Sequence, residues 1–195
     1  NPATSLLVYN TSSLSDVTPG FYYWETVWKS FKGTSSGMVS GGWALSGNTL
    51  ATGNEYLGTN NYNSLVFKVN GNQVGKFHPN GGITLGLGAS ANDNSSVAIG
   101  RNASASTSNE AIALGYAANS SGYRSTALGY NSVASNNNTL ALGLSSNASG
   151  FQATALGVSA VSNTNNSLAI GNSSRATGQQ ATAIGTESNS SAQNA

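Results

Sequence analysis

The stretch Ser96-Val97-Ala98-Ile99-Gly100-Arg101-Asn102-Ala103-Ser104-Ala105 decides the fold, because the chain goes on to repeat it. Its central triplet, Ala-Ile/Leu-Gly, returns at Ala113-Leu114-Gly115, Ala127-Leu128-Gly129, Ala141-Leu142-Gly143, Ala155-Leu156-Gly157, Ala169-Ile170-Gly171 and Ala183-Ile184-Gly185. The step from Gly100 to Gly115 is fifteen positions, and the five steps after it are fourteen each. Thr84-Leu85-Gly86 carries the series back by another fourteen. So regular a period marks stacked coils, in which a unit too short to bury its own core is stabilised by its neighbours.

Each repeat reads as two short strands and two turns. Val97, Ile112, Thr126, Leu140, Thr154, Leu168 and Thr182 stand two positions before the Ile/Leu, so the two share one strand face. With these larger residues taken as the packed face, the intervening Ala is expected to point outward on a closely approached surface. Small residues follow each Gly at three and five positions, as in Ala103/Ala105, Ser132/Ala134 and Ser146/Ala148. The expected coil is thin, with large side chains of one strand facing small ones of the other. Gly at constant phase marks a turn that needs positive φ or close backbone approach. Gly at this spacing, with Asn/Ser/Thr clusters between, excludes helix. Coils stacked ~4.8 Å apart would build a rod of roughly 35 Å. The openings also alternate: Gly122-Tyr123-Arg124, Gly150-Phe151-Gln152 and Gly178-Gln179-Gln180 are interleaved with Asn136-Asn137-Asn138 and Thr164-Asn165-Asn166. The full unit is therefore read as two coils, the span from Gly122 to Gly150 and again from Gly150 to Gly178.

Ser96 to Ala105 and its later copies resemble the head repeat of YadA-like trimeric autotransporter adhesins, over residues 83–195. The resemblance implies an all-β, left-handed parallel β-roll whose coils have the fourteen-residue length of the repeat. It further implies three chains side by side and a place at the end of a bacterial surface fibre. Cell adhesion and a role in virulence are also implied. The fourteen-residue step does not fit left-handed hexapeptide helices of ~18 residues per coil, and Ca²⁺-binding nonapeptides need an Asp series that is absent.

Composition supports a repetitive β-structure. Charged residues make up 7% of the 195-residue chain, against ~25% in typical domains. A net charge of +1 argues against an electrostatic nucleic-acid binder or a polybasic membrane segment. Eight Tyr, five Phe and three Trp argue against disorder. There is no Cys, which removes disulfides and thiol chemistry. No apolar run approaches the ~18 residues of a membrane span, so no direct membrane insertion is expected of this segment. The repeat runs on to Ala195, and the chain is expected to be part of a longer protein.

Residues 1–82 form a different, aromatic-rich region, expected as a β module with linker (1–42) and a β-hairpin module (43–82) ahead of the repeats (83–195). Ser5 to Thr11, Phe21 to Trp24 and Val27 to Phe31 read as strands. Gly33 to Gly42 reads as a linker, with a second module opening at Trp43-Ala44-Leu45-Ser46-Gly47-Asn48. Leu65 to Val69, Asn70-Gly71-Asn72 and Gln73 to Phe77 read as a hairpin, and Pro79-Asn80-Gly81-Gly82 as the turn into the first coil. With Leu6 to Thr11, Thr18 to Trp24 and Leu57-Gly58-Thr59, these residues resemble β-modules of bacterial surface fibres and phage-type tail fibres.

Catalysis needs converging titratable groups. The single His78 reads as a turn residue, and the six carboxylates, Asp16, Glu25, Glu55, Asp93, Glu110 and Glu187, are scattered. No catalytic residue, cofactor or metal site is expected, and the chain reads as a non-enzyme. Asn-x-Ser/Thr sequons such as Asn102 and Asn147 arise readily in such a composition. The residue after the phase Gly is Tyr116, Tyr130, Leu144 and Val158 on successive coils, an apolar stripe that either lines an inter-chain contact or faces a ligand. Tyr123 and Phe151, two coils apart at one phase, are the next candidates. The leading functional expectation is the adhesive head of a homotrimeric fibre on the bacterial cell surface, binding an unspecified host or surface protein or glycan. The alternative is a receptor-binding tail fibre of a phage or contractile injection particle. An ice-binding solenoid is disfavoured, since Leu140 and Leu168 interrupt the Thr126, Thr154, Thr182 series.

Overall fold

The computed structural model describes residues 6–13, 18–24, 27–31, 57–91, 95–105 and 110–195. The expected linker Gly33 to Gly42 and the module opening at Trp43 to Asn48 lie outside the described residues, as do Ser5, Asp16, Glu25, Glu55 and Asp93. Described residues contain strands and turns and no helix. The chain divides into two units, Asn1–Leu57 and Gly58–Ala195.

In the first unit, β1 (Leu7–Asn10), β2 (Gly20–Trp24) and β3 (Trp28–Ser30) form an antiparallel three-stranded sheet in that order. Tyr22 is its buried residue, and its hydroxyl bonds both the amide and the carbonyl of Thr18, at 3.1 and 3.0 Å. Edge-to-face pairs Tyr9–Phe21 and Trp24–Trp28 add the ring packing such residues favour.

The second unit opens with the expected hairpin, β4 (Leu65–Val69) and β5 (Asn72–Phe77). Its turn has positive φ at both Asn70 (48°) and Gly71 (76°), the backbone a two-residue hairpin connection requires. The chain reverses through Pro79 and Asn80, where the Gly81 amide donates to the His78 carbonyl at 3.0 Å, and enters β6 (Ile83–Leu85) antiparallel to β5. From β6 onward every coil contributes one strand to each of two parallel sheets. The first coil pairs β6 with β7 (Ser90–Ala91), the second β8 (Val97–Ile99) with β9 (Ser104–Ala105), and the last β20 (Thr182–Ile184) with β21 (Asn189–Ser190). The eight-stranded sheet holds the second strand of each coil; the ten-stranded sheet holds the first strands plus β5 and β4. Register is constant: Ala113 lies opposite Ala127, Ala127 opposite Ala141, and so on to Ala183. Val97 still faces Ile112 and Ser104 still faces Asn119 across the one longer step, so the additional residue falls between Ala105 and Ile112.

The inside of the roll is the reverse of what alternation alone suggested. The intervening alanines Ala98, Ala113, Ala127, Ala141, Ala155 and Ala169 are completely buried, and the Val, Ile and Leu beside them point outward. On the second strand and the turn before it, Ala103, Ala105, Ser120, Ser132, Ala134, Ser146 and Ala148 are equally buried. Small side chains thus face small side chains, and the two sheets approach too closely for a Leu between them. The interior serines of the turns bond the carbonyl three residues back: Ser125 to Gly122 (2.6 Å), Ser132 to Gly129 (3.0 Å), Ser174 to Gly171 (3.0 Å). Ser120 with Ser125 and Ser162 with Ser167 also pair across the interior at 2.6 Å.

Every half-coil has the same backbone. A residue of positive φ recurs every seventh position from Glu110 through Ala117, Arg124 and Asn131 to Asn194. It is the third residue of a four-residue turn, as where the Ser132 amide donates to the Gly129 carbonyl. The phase glycines have a further constraint. Gly143 sits at φ 136°, a region reserved for glycine, and a Cβ there would run into the Gly157 carbonyl of the next coil. Gly143→Ala is therefore expected to destabilise the roll by roughly 2–4 kcal/mol, from backbone strain plus the clash. Ala141→Leu, overpacking the interior, is expected to cost about as much. Thermal melts of both variants check this; unchanged melting temperatures would contradict the tight interior.

Candidate functional site

Two rows of turns flank the sheets, one on each side, and they hold the singled-out side chains. The first row carries Arg101, Tyr116, Tyr130, Leu144 and Val158 on consecutive coils. A backbone ladder fixes their stacking: the carbonyl of Tyr116 accepts from Asn131 (2.9 Å), Tyr130 from Ser145 (2.8 Å), Leu144 from Ser159 (2.8 Å) and Val158 from Ser173 (2.8 Å). Tyr116 and Tyr130 stack face to face, with centroids 5.1 Å apart and planes 10° off parallel. All four side chains are exposed, so the stripe read from the sequence is a continuous apolar ridge.

Tyr123 and Phe151 belong to the opposite row and do not join that ridge. Between their coils lies the Asn136-Asn137-Asn138 turn, and the geometry explains the alternation over two coils. Asn137 Oδ1 accepts from the Tyr123 amide (3.1 Å), and Asn165 Oδ1 from the Phe151 amide (3.0 Å), each reaching back one coil. Asn136 Nδ2 donates forward to the Ser149 carbonyl (3.2 Å), and Thr164 Oγ1 to that of Gly178 (2.6 Å). The polar turns are clamps that bond the coils before and after them. At Gly122 and Gly150 a Cβ would collide with the carbonyl of the following polar turn, which is why glycine opens the intervening coils.

One ion pair decorates this row. Arg124 Nε meets Glu110 Oε2 at 2.6 Å across adjacent coils, and the guanidinium lies over the Tyr123 ring, 4.8 Å from its centroid. The hydrogen bond to Glu110, with its charge, holds Arg124 above its ordinary pKa. Both partners are largely solvated, so the pair adds little to stability. Spacing alone could have found it, since Glu110 and Arg124 stand one full coil apart at one phase of the repeat.

The outer face of the ten-stranded sheet carries the larger aliphatic side chains that alternation had placed inside. Leu85, Ile99, Leu114, Leu128, Leu142, Leu156, Ile170 and Ile184 form one unbroken aliphatic column in register across eight strands. Beside it, Val97, Ile112, Leu140 and Leu168 alternate in part with Thr126, Thr154 and Thr182. Leu128 and Leu142 each remain 40% exposed.

A family model for the YadA head domain repeat matches residues 83–103, 106–132, 120–146, 148–174 and 176–195, more than half of the chain. The chain belongs to the YadA head family. No curated protein matches it. The YadA head repeats coincide with the coils described above, from the strand at Ile83 onward. His78, just ahead of them, sits in the return turn between β5 and β6. Among the described residues no three His, Cys, Asp or Glu side chains gather as a metal site, and no helix is long and apolar enough to cross a membrane.

Removing the clamp with Asn137→Ala frees the Tyr123 amide and is expected to cost about 1 kcal/mol. Arg124→Ala should leave the melting temperature unchanged at physiological salt. Parallel melts decide it: a loss in Arg124→Ala with none in Asn137→Ala would mean that the ion pair, and not the clamp, joins these coils.

Proposed function

We propose that this chain is the head segment of a homotrimeric, non-catalytic fibre on the bacterial cell surface, which attaches the cell to host, matrix or abiotic targets. The observation that carries the reading is the aliphatic column on the outer face of the ten-stranded sheet. A ladder of eight coils, roughly 35 Å long, exposes more contiguous apolar surface than a soluble monomer keeps uncovered. Three copies packed column to column would bury it, and membership of the YadA head family supports that arrangement. The interior cannot substitute as a core, because nearly all it buries are the small side chains of Ala and Ser.

With the sheet face assigned to inter-chain packing, the Tyr116–Tyr130–Leu144–Val158 ridge remains available as ligand contact. Each ridge would bind weakly, and three parallel copies on one rod gain avidity by multivalency. The low charge suits a surface that adheres by packing and hydrogen bonding rather than by long-range steering.

Sedimentation equilibrium should return the mass of three chains; a monomer would overturn the proposal. Leu128→Lys combined with Leu142→Lys should dissociate the trimer, because six buried charges would meet on its axis. Tyr130→Ser should keep the trimeric mass and lower retention on glycan- or matrix-coated surfaces several-fold. Retention unchanged in Tyr130→Ser would remove the ridge from the binding surface without touching the trimer.

A further inference from the structure

We propose that the Arg101–Tyr116–Tyr130 end of the turn ridge binds a glycan ending in a carboxylated sugar, with the carboxylate seated on Arg101. The inference rests on the ridge being the ligand surface of the head. Arg101 belongs to the same ladder as the apolar side chains: its carbonyl accepts from the Ala117 amide at 2.9 Å, as that of Tyr116 does from Asn131. It therefore stands one coil, ~4.8 Å, ahead of Tyr116. The Arg101 side chain is exposed and has no ion pair or hydrogen bond among the described residues, whereas Arg124, on the opposite row, is held by Glu110. The described carboxylate on this row is Glu187, in the Gly185 turn, six coils beyond the Gly100 turn. At roughly 29 Å it lies far outside the screening length of ~8 Å at physiological salt. The ridge thus ends in an uncompensated positive charge.

Beside this cation stand unused donors on apolar bodies. The Tyr116 and Tyr130 rings stack on one another, so each gives up a face and keeps an edge and a hydroxyl for the solvent. Neither hydroxyl has a hydrogen-bond partner among the described residues. A guanidinium and two phenols within two coils, roughly 10 Å, span the end of a short glycan. Arginine takes a carboxylate through two parallel N–H bonds, and tyrosine offers apolar carbon and a hydroxyl together. The number of charges then selects among anionic partners. One arginine contributes about 1 kcal/mol toward an anionic bilayer, which is held by clusters of basic residues. A polyanionic chain would lay its further charges over Tyr130, Leu144 and Val158, where nothing pairs them. An extended acidic peptide gains affinity from main-chain pairing, and the turn carbonyls from Arg101 to Val158 are already taken by the next coil. A neutral glycan with one terminal carboxylate leaves no charge unmatched.

The test is retention of the full chain on surfaces coated with sialyllactose, lactose or sulfated lactose. Sialyllactose should hold the chain about tenfold more strongly than lactose, and more strongly than sulfated lactose. Arg101→Gln should bring sialyllactose down to the lactose level at an unchanged melting temperature, since the side chain makes no bond within the chain. Arg101→Lys keeps the charge but loses the fork, and should recover only part of the difference. Arg175→Gln removes an exposed arginine from the outer face of the eight-stranded sheet and should leave retention as it was. An equal loss in Arg175→Gln would reduce the effect to net charge and overturn the proposal. A preference that survives Arg101→Gln would overturn it as well, and sulfated lactose binding as tightly as sialyllactose would overturn the carboxylate. Sialyllactose held no better than lactose also sinks the inference, but the ridge itself stands if Tyr130→Ser still lowers retention. If Tyr130→Ser changes retention on no surface, the ridge falls and this inference with it.

Discussion

Two β-sheets lie so close together that only Ala, Ser and an occasional Thr fit between them, and the rest of the molecule follows from that constraint. A buried methyl stabilises by only about 0.8 kcal/mol. The interior of each coil therefore contributes little, and the hydrogen-bond ladders between coils must supply order as well as stability. This is why the backbone is so uniform, with a left-handed residue every seventh position and turn carbonyls accepting from the next coil at 2.8–2.9 Å along the Tyr116 to Val158 row. It is also why the larger aliphatic residues, displaced from within, form an apolar column outside.

The period, the strand positions, the hairpin at Leu65–Phe77 and the role of the phase glycines were all legible in the sequence. Gly143 combines positive φ with close approach to the next coil, both of which a glycine at fixed phase implies. What alternation cannot decide is which face is inward. A strand reading Leu-Ala-Leu has two faces, and burial of apolar area argues for Leu inside. Here the spacing between sheets overrides that preference. The signal was present in the second strand, where Ala134 and Ala148 offer no complementary large residue.

Side-chain clamps were harder to read. The alternation of Gly122 with Asn136 is visible as a two-coil unit, but Asn137 reaching back and Asn136 reaching forward depends on carbonyl directions that the sequence does not encode. The candidate apolar residues divided for a similar reason. Tyr116, Tyr130, Leu144 and Val158 share one turn row because their phase is the same, whereas Tyr123 and Phe151 occupy the other row and are separated by a clamp.

The clamps also bear on how such a rod can change in length. A polar turn bonds a glycine-opened coil on either side, and a glycine-opened coil presents the bare backbone its polar neighbour requires. Deleting or duplicating a single coil would place two turns of one kind in contact, either without a clamp or with one too many. Adding or removing two coils together leaves every junction as it was. Gene duplication within the repeat is thereby biased toward steps of two coils' worth of codons, and rods descended from this one should differ in length by pairs of coils.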